Sequence, residues 1–383
     1  MFYKTAIIML SILLLVTVVP TNTSANVSVS AQTAILMEQE SGRMLYGKHE
    51  HRQMRIASIT KIMTAILAIE SGKMEETVTV SDFASGTEGS SLYLKPGEKI
   101  LLEDLVYGLM LRSGNDAGVA IAEHVGGSLE GFVYLMNEKA DEIGMDNTVF
   151  SNPHGLDDHE EHYSTAYDMA LLTQYAMKND KYRDISSTET YRAPQEGEEW
   201  DRIWKNKNRL LTQLYKHSTG GKTGYTKRAK RTLVSTATKD DVDLIAVTLN
   251  APSDWQDHMS LFNWAFENYE LEDLVKEGVI KGIKDDFYRD NVSAAYTFSY
   301  PLTELEKDMV EKNITLYRPP EDEDVNEWGV PQPVGKMTVT LDNETIANVP
   351  LFYTAPDGEE GEKSFWTKLK EMFFFTIGVK SFD

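Results

Sequence analysis

Residues 57–69 read ASITKIMTAILAI. Apolar residues recur at three- and four-residue spacing, which predicts a helix that ends before Gly72. Ser58 and Lys61 are three positions apart, so on a helix they share a face and the Lys61 amine can reach the Ser58 hydroxyl. The start of a helix also directs N–H groups and positive dipole toward any oxyanion formed there. The pair is a candidate nucleophile and base.

By itself this pair is a weak signal. About one S-x-x-K string is expected by chance in a chain of this length. Ser58 could be an ordinary helix N-cap, with Lys61 facing solvent in the first turn. The pair therefore needs support from elsewhere in the chain.

Two further strings follow in the same chain order. Ser113-Gly114-Asn115 lies between two predicted helices, at 102–111 and 116–125, and could be a simple linking turn. Lys222-Thr223-Gly224 stands just before β-branched runs at 231–238 and 242–249, which predict a hairpin, and could itself be a strand with an exposed Lys. Each string has a chance expectation of about a tenth. Finding all three in order argues against coincidence.

Together, the three strings resemble the active-site signatures of penicillin-binding proteins and serine β-lactamases. More narrowly, the chain is similar to the low-molecular-mass D-alanyl-D-alanine carboxypeptidases. The similarity extends to the segments 111–117, 152–156 and 162–168, and to both ends of the chain. The resemblance implies removal of the terminal D-alanine from peptidoglycan pentapeptide stems through an acyl-enzyme, with β-lactam antibiotics as inhibitors.

The resemblance also implies a set of catalytic residues. Ser58 would be the nucleophile. Lys61 would be the base, kept neutral by burial and by the charge of Lys222. Ser113 would relay a proton to the leaving amine, while Asn115 would hold the substrate amide and orient Lys61.

Substrate-binding roles follow from the same resemblance. Lys222 and Thr223 would bind the terminal carboxylate, and the backbone N–H groups of Ser58 and Tyr225, the residue after Gly224, would form the oxyanion hole. Some relatives add an Arg near the segment 252–258, where this chain has Asp254-Trp255-Gln256-Asp257. A second carboxylate anchor is therefore left open.

The implied fold is the α/β (α+β) fold of serine β-lactamases and penicillin-binding-protein transpeptidases, an antiparallel sheet flanked by helices. A small C-terminal all-β domain would follow, with strands that include 294–298, 314–317, 336–341 and 346–352. The expected organisation is a signal peptide at 1–25, a catalytic domain at 26–270, the β-rich domain at 271–356, and an acidic linker with an amphipathic anchor helix at 357–383.

Composition limits the partners and the compartment. The chain has 383 residues, a net charge of −22 and no cysteine. Such acidity argues against a nucleic-acid partner and requires locally placed cations for an anionic substrate. Lys4 and the apolar run 6–19, followed by small residues up to Ala25, predict export. We expect an extracytoplasmic protein without disulfides.

The tail predicts a membrane contact. On a helix, Phe365, Trp366, Leu369, Met372 and Phe373 share one face, while polar residues occupy the other. The segment is too short to span a bilayer. Lysines suit anionic headgroups, so we expect peripheral binding to the outer face of the cytoplasmic membrane. Docking on the protein's own β domain is the alternative.

No metal or cofactor is expected. The spacing of His154, His159 and His162 matches no zinc pattern, and we interpret them as loop and packing residues. A β-lactamase is one alternative function, but no E-x-x-x-N segment of the class A type lies between Ser113 and Lys222. A noncatalytic peptidoglycan-binding module is another, and the complete set of motifs argues against it.

Overall fold

The computed structural model describes residues 27–195, 197–319 and 333–354. The predicted signal peptide (1–25) and the predicted linker and anchor helix (357–383) lie outside these residues. Within the described ranges, no helix is long and apolar enough to cross a membrane.

Helices occur at the three positions predicted above, 57–69, 102–111 and 116–125, whereas the helices at 166–177 and 180–187 were not predicted. The motif at residues 57–61 departs from the prediction in one respect, because Ala57–Thr60 is a 3-10 turn that leads into the α-helix. The helices are α1 (Lys61–Glu70), α2 (Asp82–Ser85), α3 (Leu102–Arg112), α4 (Asn115–Gly126), α5 (Leu129–Glu142), α6 (Ala166–Met177), α7 (Asp180–Ser187), α8 (Asp254–Asn268) and α9 (Glu304–Lys307). A π-helical turn at Leu210–Leu214 lies between α7 and α8.

The strands form two larger antiparallel sheets and three short ribbons. In chain order they are β1 (Thr33–Glu38), β2 (Met44–Lys48), β3 (Thr77–Thr79), β4 (Lys99–Leu101), β5 (Thr190–Ala193), β6 (Arg202–Lys205), β7 (Ser218–Thr226), β8 (Lys230–Lys239), β9 (Val242–Leu249), β10 (Glu270–Val275), β11 (Gly278–Val279), β12 (Val292–Ala294), β13 (Phe298–Leu302), β14 (Val310–Leu316), β15 (Pro333–Leu341) and β16 (Glu344–Tyr353).

The central sheet has the order β2-β1-β9-β8-β7 and is covered on both faces. Ile35 pairs with Val247, and both belong to the core shared with the helices α1 to α7. Leu36 pairs with Ala246, and both pack on the opposite face, against α8. Neighbouring residues of a strand point to opposite faces, so apolar residues at every position build a three-layer structure with an antiparallel sheet between helices. This is the fold class predicted from the sequence.

The strands after the central sheet form a body with its own apolar core. A sheet of order β11-β12-β16-β15-β14 encloses Val292, Val339 and Leu351, and the short helix α9 is an addition to the predicted all-β composition. The predicted strand at 294–298 is wrong, since β12 ends at Ala294 and β13 begins at Phe298.

Arg43 joins the two bodies. It stands just before β2, at the edge of the central sheet that lies farthest from β7. Its guanidinium donates to the carbonyl of Pro301, pairs with Glu306, and lies between the rings of Tyr269 and Tyr300, 5.4 and 5.0 Å from their centroids. Stacking and ion pairing together fix the small body against the outer hairpin.

Candidate active site

Ser58 lies in the 3-10 turn, half-buried, with its backbone shaped by the residue before it. Ala57 has φ +51°, a conformation that L side chains adopt at an energetic cost. The Thr60 hydroxyl donates to the carbonyl of Ala57 at 2.8 Å and stabilises this turn. The N-cap residues are Ile56 for this turn and Thr60 for α1, so the capping alternative for Ser58 is wrong.

Lys61 is fully buried at the start of α1. Its Nζ lies 3.1 Å from Ser58 Oγ, and it donates to Asn115 Oδ1 at 2.7 Å and to the carbonyl of His154 at 2.6 Å, which leaves the lone pair of the neutral amine free to face the serine hydroxyl. Burial lowers the pKa of Lys61 well below its ordinary value, and the charges of Lys222 and Lys207 lower it further. An amine held in this way can take the proton of the serine hydroxyl.

Ser113 caps the end of α3 in the left-handed region, with φ +65°. This conformation turns the chain sharply, so that Asn115 begins α4 directly afterwards. Ser113 Oγ accepts a hydrogen bond of 3.0 Å from Lys222 Nζ, and the Asn115 amide donates to the carbonyl of Glu88 at 2.6 Å. The short link thus brings two polar side chains to the same cleft.

The string Lys222-Thr223-Gly224 lies inside β7 rather than before the sheet, which corrects the sequence interpretation. It pairs with residues 232–234 of β8. A β-carbon at Gly224 would lie 2.9 Å from the backbone nitrogen of Ser58, so only glycine lets the strand pass this close to the turn. Because β7 is the last strand of its sheet, its outer edge can pair with an extended peptide.

Thr223 and Tyr225 lie on the accessible part of the same strand. Thr223 is half-buried, and the Tyr225 side chain is 64% exposed. The backbone N–H of Tyr225 follows the glycine that contacts the Ser58 turn. The predicted oxyanion pair therefore lies on adjoining pieces of backbone.

Lys222 is fully buried, and its pKa falls to about 7 because of desolvation and the nearby charge of Lys207. Lys207 is a residue that sequence reasoning missed. It belongs to none of the three strings, and its approach to Lys61 and Lys222 depends on how the chain folds between β6 and β7. No local pattern in the sequence indicates it.

The segment 152–156 packs against the turn that carries Ser58 and contacts the amine of Lys61. The carbonyl of His154 accepts from Lys61, and the ring of His162 bonds to the hydroxyl of Thr60 at 2.9 Å. His162 Nδ1 accepts the backbone N–H of Ser151, so its Nε2 carries the hydrogen. Burial lowers the pKa of His154 to about 3 and that of His162 to about 4. Both rings are neutral; the His162 ring contacts the nucleophile turn through Thr60, whereas the His154 ring accepts the backbone N–H of Leu156.

The segment 252–257 contributes no cation to the cleft. Asp254 pairs with Arg231 at 2.7 Å, on the α8 side of the sheet. Thr232, the next residue of β8, points to the other side and donates to the carbonyl of Ile56. Within the described ranges, no group of three metal-ligating side chains occurs.

Comparisons with known proteins agree with this geometry. Residues 20–253 match the D-alanyl-D-alanine carboxypeptidase family model. The D-alanyl-D-alanine carboxypeptidase DacF of Bacillus subtilis is 34% identical over 365 residues, which cover 89% of this chain and 91% of that protein.

Solved structures give the same result. Penicillin binding protein 5 of Haemophilus influenzae has a TM-score of 0.71 and 28% identity, covering 85% of this chain and 97% of that one. A D-alanyl-D-alanine carboxypeptidase of Mycobacterium tuberculosis has a TM-score of 0.60 and 30% identity, covering 63% and 92%. With the site geometry and these matches combined, the chain belongs to the D-alanyl-D-alanine carboxypeptidase family of serine peptidases.

Proposed function

We propose that Ser58 is the nucleophile of this D-alanyl-D-alanine carboxypeptidase. The enzyme removes the terminal D-alanine from peptidoglycan stem peptides and is acylated by penicillins. The observation that carries the assignment is the contact of 3.1 Å between the Ser58 hydroxyl and the buried amine of Lys61. A neutral amine at that distance takes the hydroxyl proton as the oxygen attacks the carbonyl carbon.

The other roles follow from the contacts around this pair. The oxyanion is held by the backbone N–H groups of Ser58 and Tyr225. Ser113 passes a proton to the nitrogen of the leaving D-alanine, with Lys222 3.0 Å away as its partner. The peptide bond breaks, and the acyl group stays on Ser58 until water attacks the ester and releases the shortened stem.

Asn115 has a positioning role as well as a binding one. Its Oδ1 fixes the amine of Lys61, while its amide nitrogen is held by the carbonyl of Glu88. Lys222 and Thr223 bind the terminal carboxylate, and Gly224 leaves room for the substrate backbone beside the Ser58 turn.

The domain assignment remains part of this proposal. Residues 26–270 form the catalytic unit and 271–356 the small β-rich unit. The separate apolar core of the second unit and the M. tuberculosis match, which covers 63% of this chain, support it. The signal peptide at 1–25 exports the enzyme, and the segment 357–383 binds it peripherally to the outer face of the cytoplasmic membrane.

Labelling with a fluorescent penicillin tests the nucleophile. The wild type is expected to be labelled and to release D-alanine from a pentapeptide, whereas Ser58→Ala is expected to do neither while keeping its fold. Ser71→Ala is a matched control, since Ser71 lies at the other end of α1. Labelling of Ser58→Ala at the wild-type rate would show that another residue is the nucleophile. A wild type that cleaves penicillin rapidly but leaves the peptide intact would favour a β-lactamase.

A further inference from the structure

The leaving D-alanine carries a free carboxylate, and Lys222 is the one cation among the residues assigned above to bind it. Burial lowers the pKa of Lys222 to about 7, so its charge depends on pH near neutrality. The segment 252–257 offers no lysine or arginine. The carboxylate site therefore calls for another cation. This inference rests on the proposed function and names a further residue of the same site.

Lys207 is hydrogen-bonded to α3, which leads into Ser113, and to the loop at residues 88–91, which contacts Asn115. Its backbone N–H donates to the carbonyl of Leu111, two residues before Ser113, at 3.1 Å. Its Nζ donates to the Ser90 hydroxyl at 3.3 Å, and the carbonyl of Ser90 accepts the backbone N–H of Asn115 at 2.7 Å. Lys207 thus lies along the wall of the cleft formed by the end of α3 and the loop at residues 88–91.

The two neighbours of Lys207 fix its backbone. Asn206 donates from its side chain to the carbonyl of Thr188 at 3.0 Å. Asn208 is buried, and its side chain donates to the carbonyl of Gly220 at 3.1 Å. Gly220 precedes Lys222 by two residues on β7. The position of Lys207 is therefore tied to the strand that holds the other cation.

The charge of Lys207 has no carboxylate partner among the residues that the structure describes. Its side chain is exposed to solvent and donates to the neutral hydroxyl of Ser90. Asp116 follows Asn115 directly in the chain. Its carboxylate already accepts hydrogen bonds from the Ser91 hydroxyl and from the backbone N–H groups of Leu92 and Leu94. Lys207 is still close enough to lower the pKa of both Lys61 and Lys222. An ammonium group whose charge acts on Lys222, and which has no carboxylate partner among the described residues, is suited to share an anion with it.

We propose that Lys207 is the second cation that binds the terminal carboxylate of the substrate, together with Lys222. It supplies the second cation that the segment 252–257 of this chain does not contain. The carboxylate would lie between the two ammonium groups, next to Ser113. Positive charge would then be concentrated at one point of a strongly acidic protein.

The test compares a penicillin with a free carboxylate and the same penicillin as its methyl ester. Lys207→Met should slow acylation by the free acid by about tenfold, the loss expected for one charge-assisted contact. Acylation by the ester should change by less than about twofold, because the ester offers no anion. Lys207→Arg should restore most of the rate for the acid. Lys205→Met, which removes an exposed lysine two residues away, is the matched control.

Two outcomes would overturn the proposal. The first is a rate for the acid in Lys207→Met that equals the wild-type rate. The second is an equal slowing of the acid and the ester, which would mean that Lys207 acts on the reacting groups instead. Both differ from a failure of the proposed function, in which the wild type itself would be acylated by neither compound and would release no D-alanine.

Discussion

A β-carbon at Gly155 would lie 1.9 Å from the carbonyl oxygen of Ala57, the residue that precedes Ser58. The two residues both have positive φ, +86° and +51°. The segment 152–156 is therefore pressed against the nucleophile turn, while the neighbouring carbonyl of His154 holds Lys61. Backbone packing and proton transfer depend on the same few atoms.

Gly155→Ala is expected to slow acylation by penicillin by at least tenfold, because backbone must move away from the Ser58 turn. Gly127→Ala is the matched control. Gly127 has a similar φ of +74° with nothing within 4 Å of its β-carbon position. The control should cost about 1 kcal/mol of stability and leave the rate unchanged. The acylation rate and the melting temperature are measured for both variants. Equal acylation rates in Gly155→Ala and Gly127→Ala would show that the contact between Gly155 and Ala57 does not control the Ser58 turn.

Substitution by arginine distinguishes the role of Lys61 as a base from the role of Lys222 as a cation. Lys61→Arg should reduce acylation by about 10³-fold or more, since a guanidinium stays protonated and cannot act as base. Lys222→Arg keeps a cation for the carboxylate and should retain measurable activity, within about tenfold of the wild type. Stopped-flow acylation measures both. Equal and complete loss in the two variants would show that the division of roles is wrong.

The pH dependence of kcat/KM should be bell-shaped. On the acid side activity falls as Lys61 gains its proton. On the alkaline side it falls above about pH 7, because the lowered pKa of Lys222 means that its charge is present below that pH and lost above it. Lys222→Arg should abolish the alkaline limb. The D-alanine release profile of both enzymes tests this, and an alkaline limb unchanged in the variant would assign it to another group.

Truncation after Gly361 should yield a soluble and active enzyme, whereas the full chain should sediment with anionic vesicles. Leu369→Glu, on the apolar face of the predicted tail helix, should weaken sedimentation by about tenfold or more. Thr367→Glu, on its polar face, adds the same charge and is the matched control. Sedimentation of the truncated protein to the same extent as the full chain would place the membrane contact elsewhere.

Local patterns predict most of the fold. The helices α3 and α4 and the strands β8 and β9 lie within a residue of the predicted bounds, because turn residues and apolar spacing are properties of short segments. A strand at β7 was only the alternative interpretation. Its sequence begins Ser218-Thr219-Gly220-Gly221, which has low strand propensity, and pairing with β8 determines its structure.

The candidate site likewise combines contacts that a local pattern indicates with contacts that only the folded chain creates. The contact between Ser58 and Lys61 could be anticipated from their three-residue spacing once the two other strings supported the pair, whereas the contact between Lys61 and the carbonyl of His154 joins residues 93 positions apart. Lys207 is similarly distant from Ser90, 117 positions away. Such contacts are formed by tertiary packing, and no periodicity within either segment records them.

The contacts of Arg43 determine where the small body lies relative to the catalytic residues. Arg43 fastens the small body to the β2 edge of the central sheet, and Lys222 stands on β7, four strand spacings or about 19 Å away across the sheet. Arg43 therefore holds the small body at the edge of the sheet away from the catalytic residues, so that the contact between the two bodies does not use the β7 edge, where a stem peptide could pair.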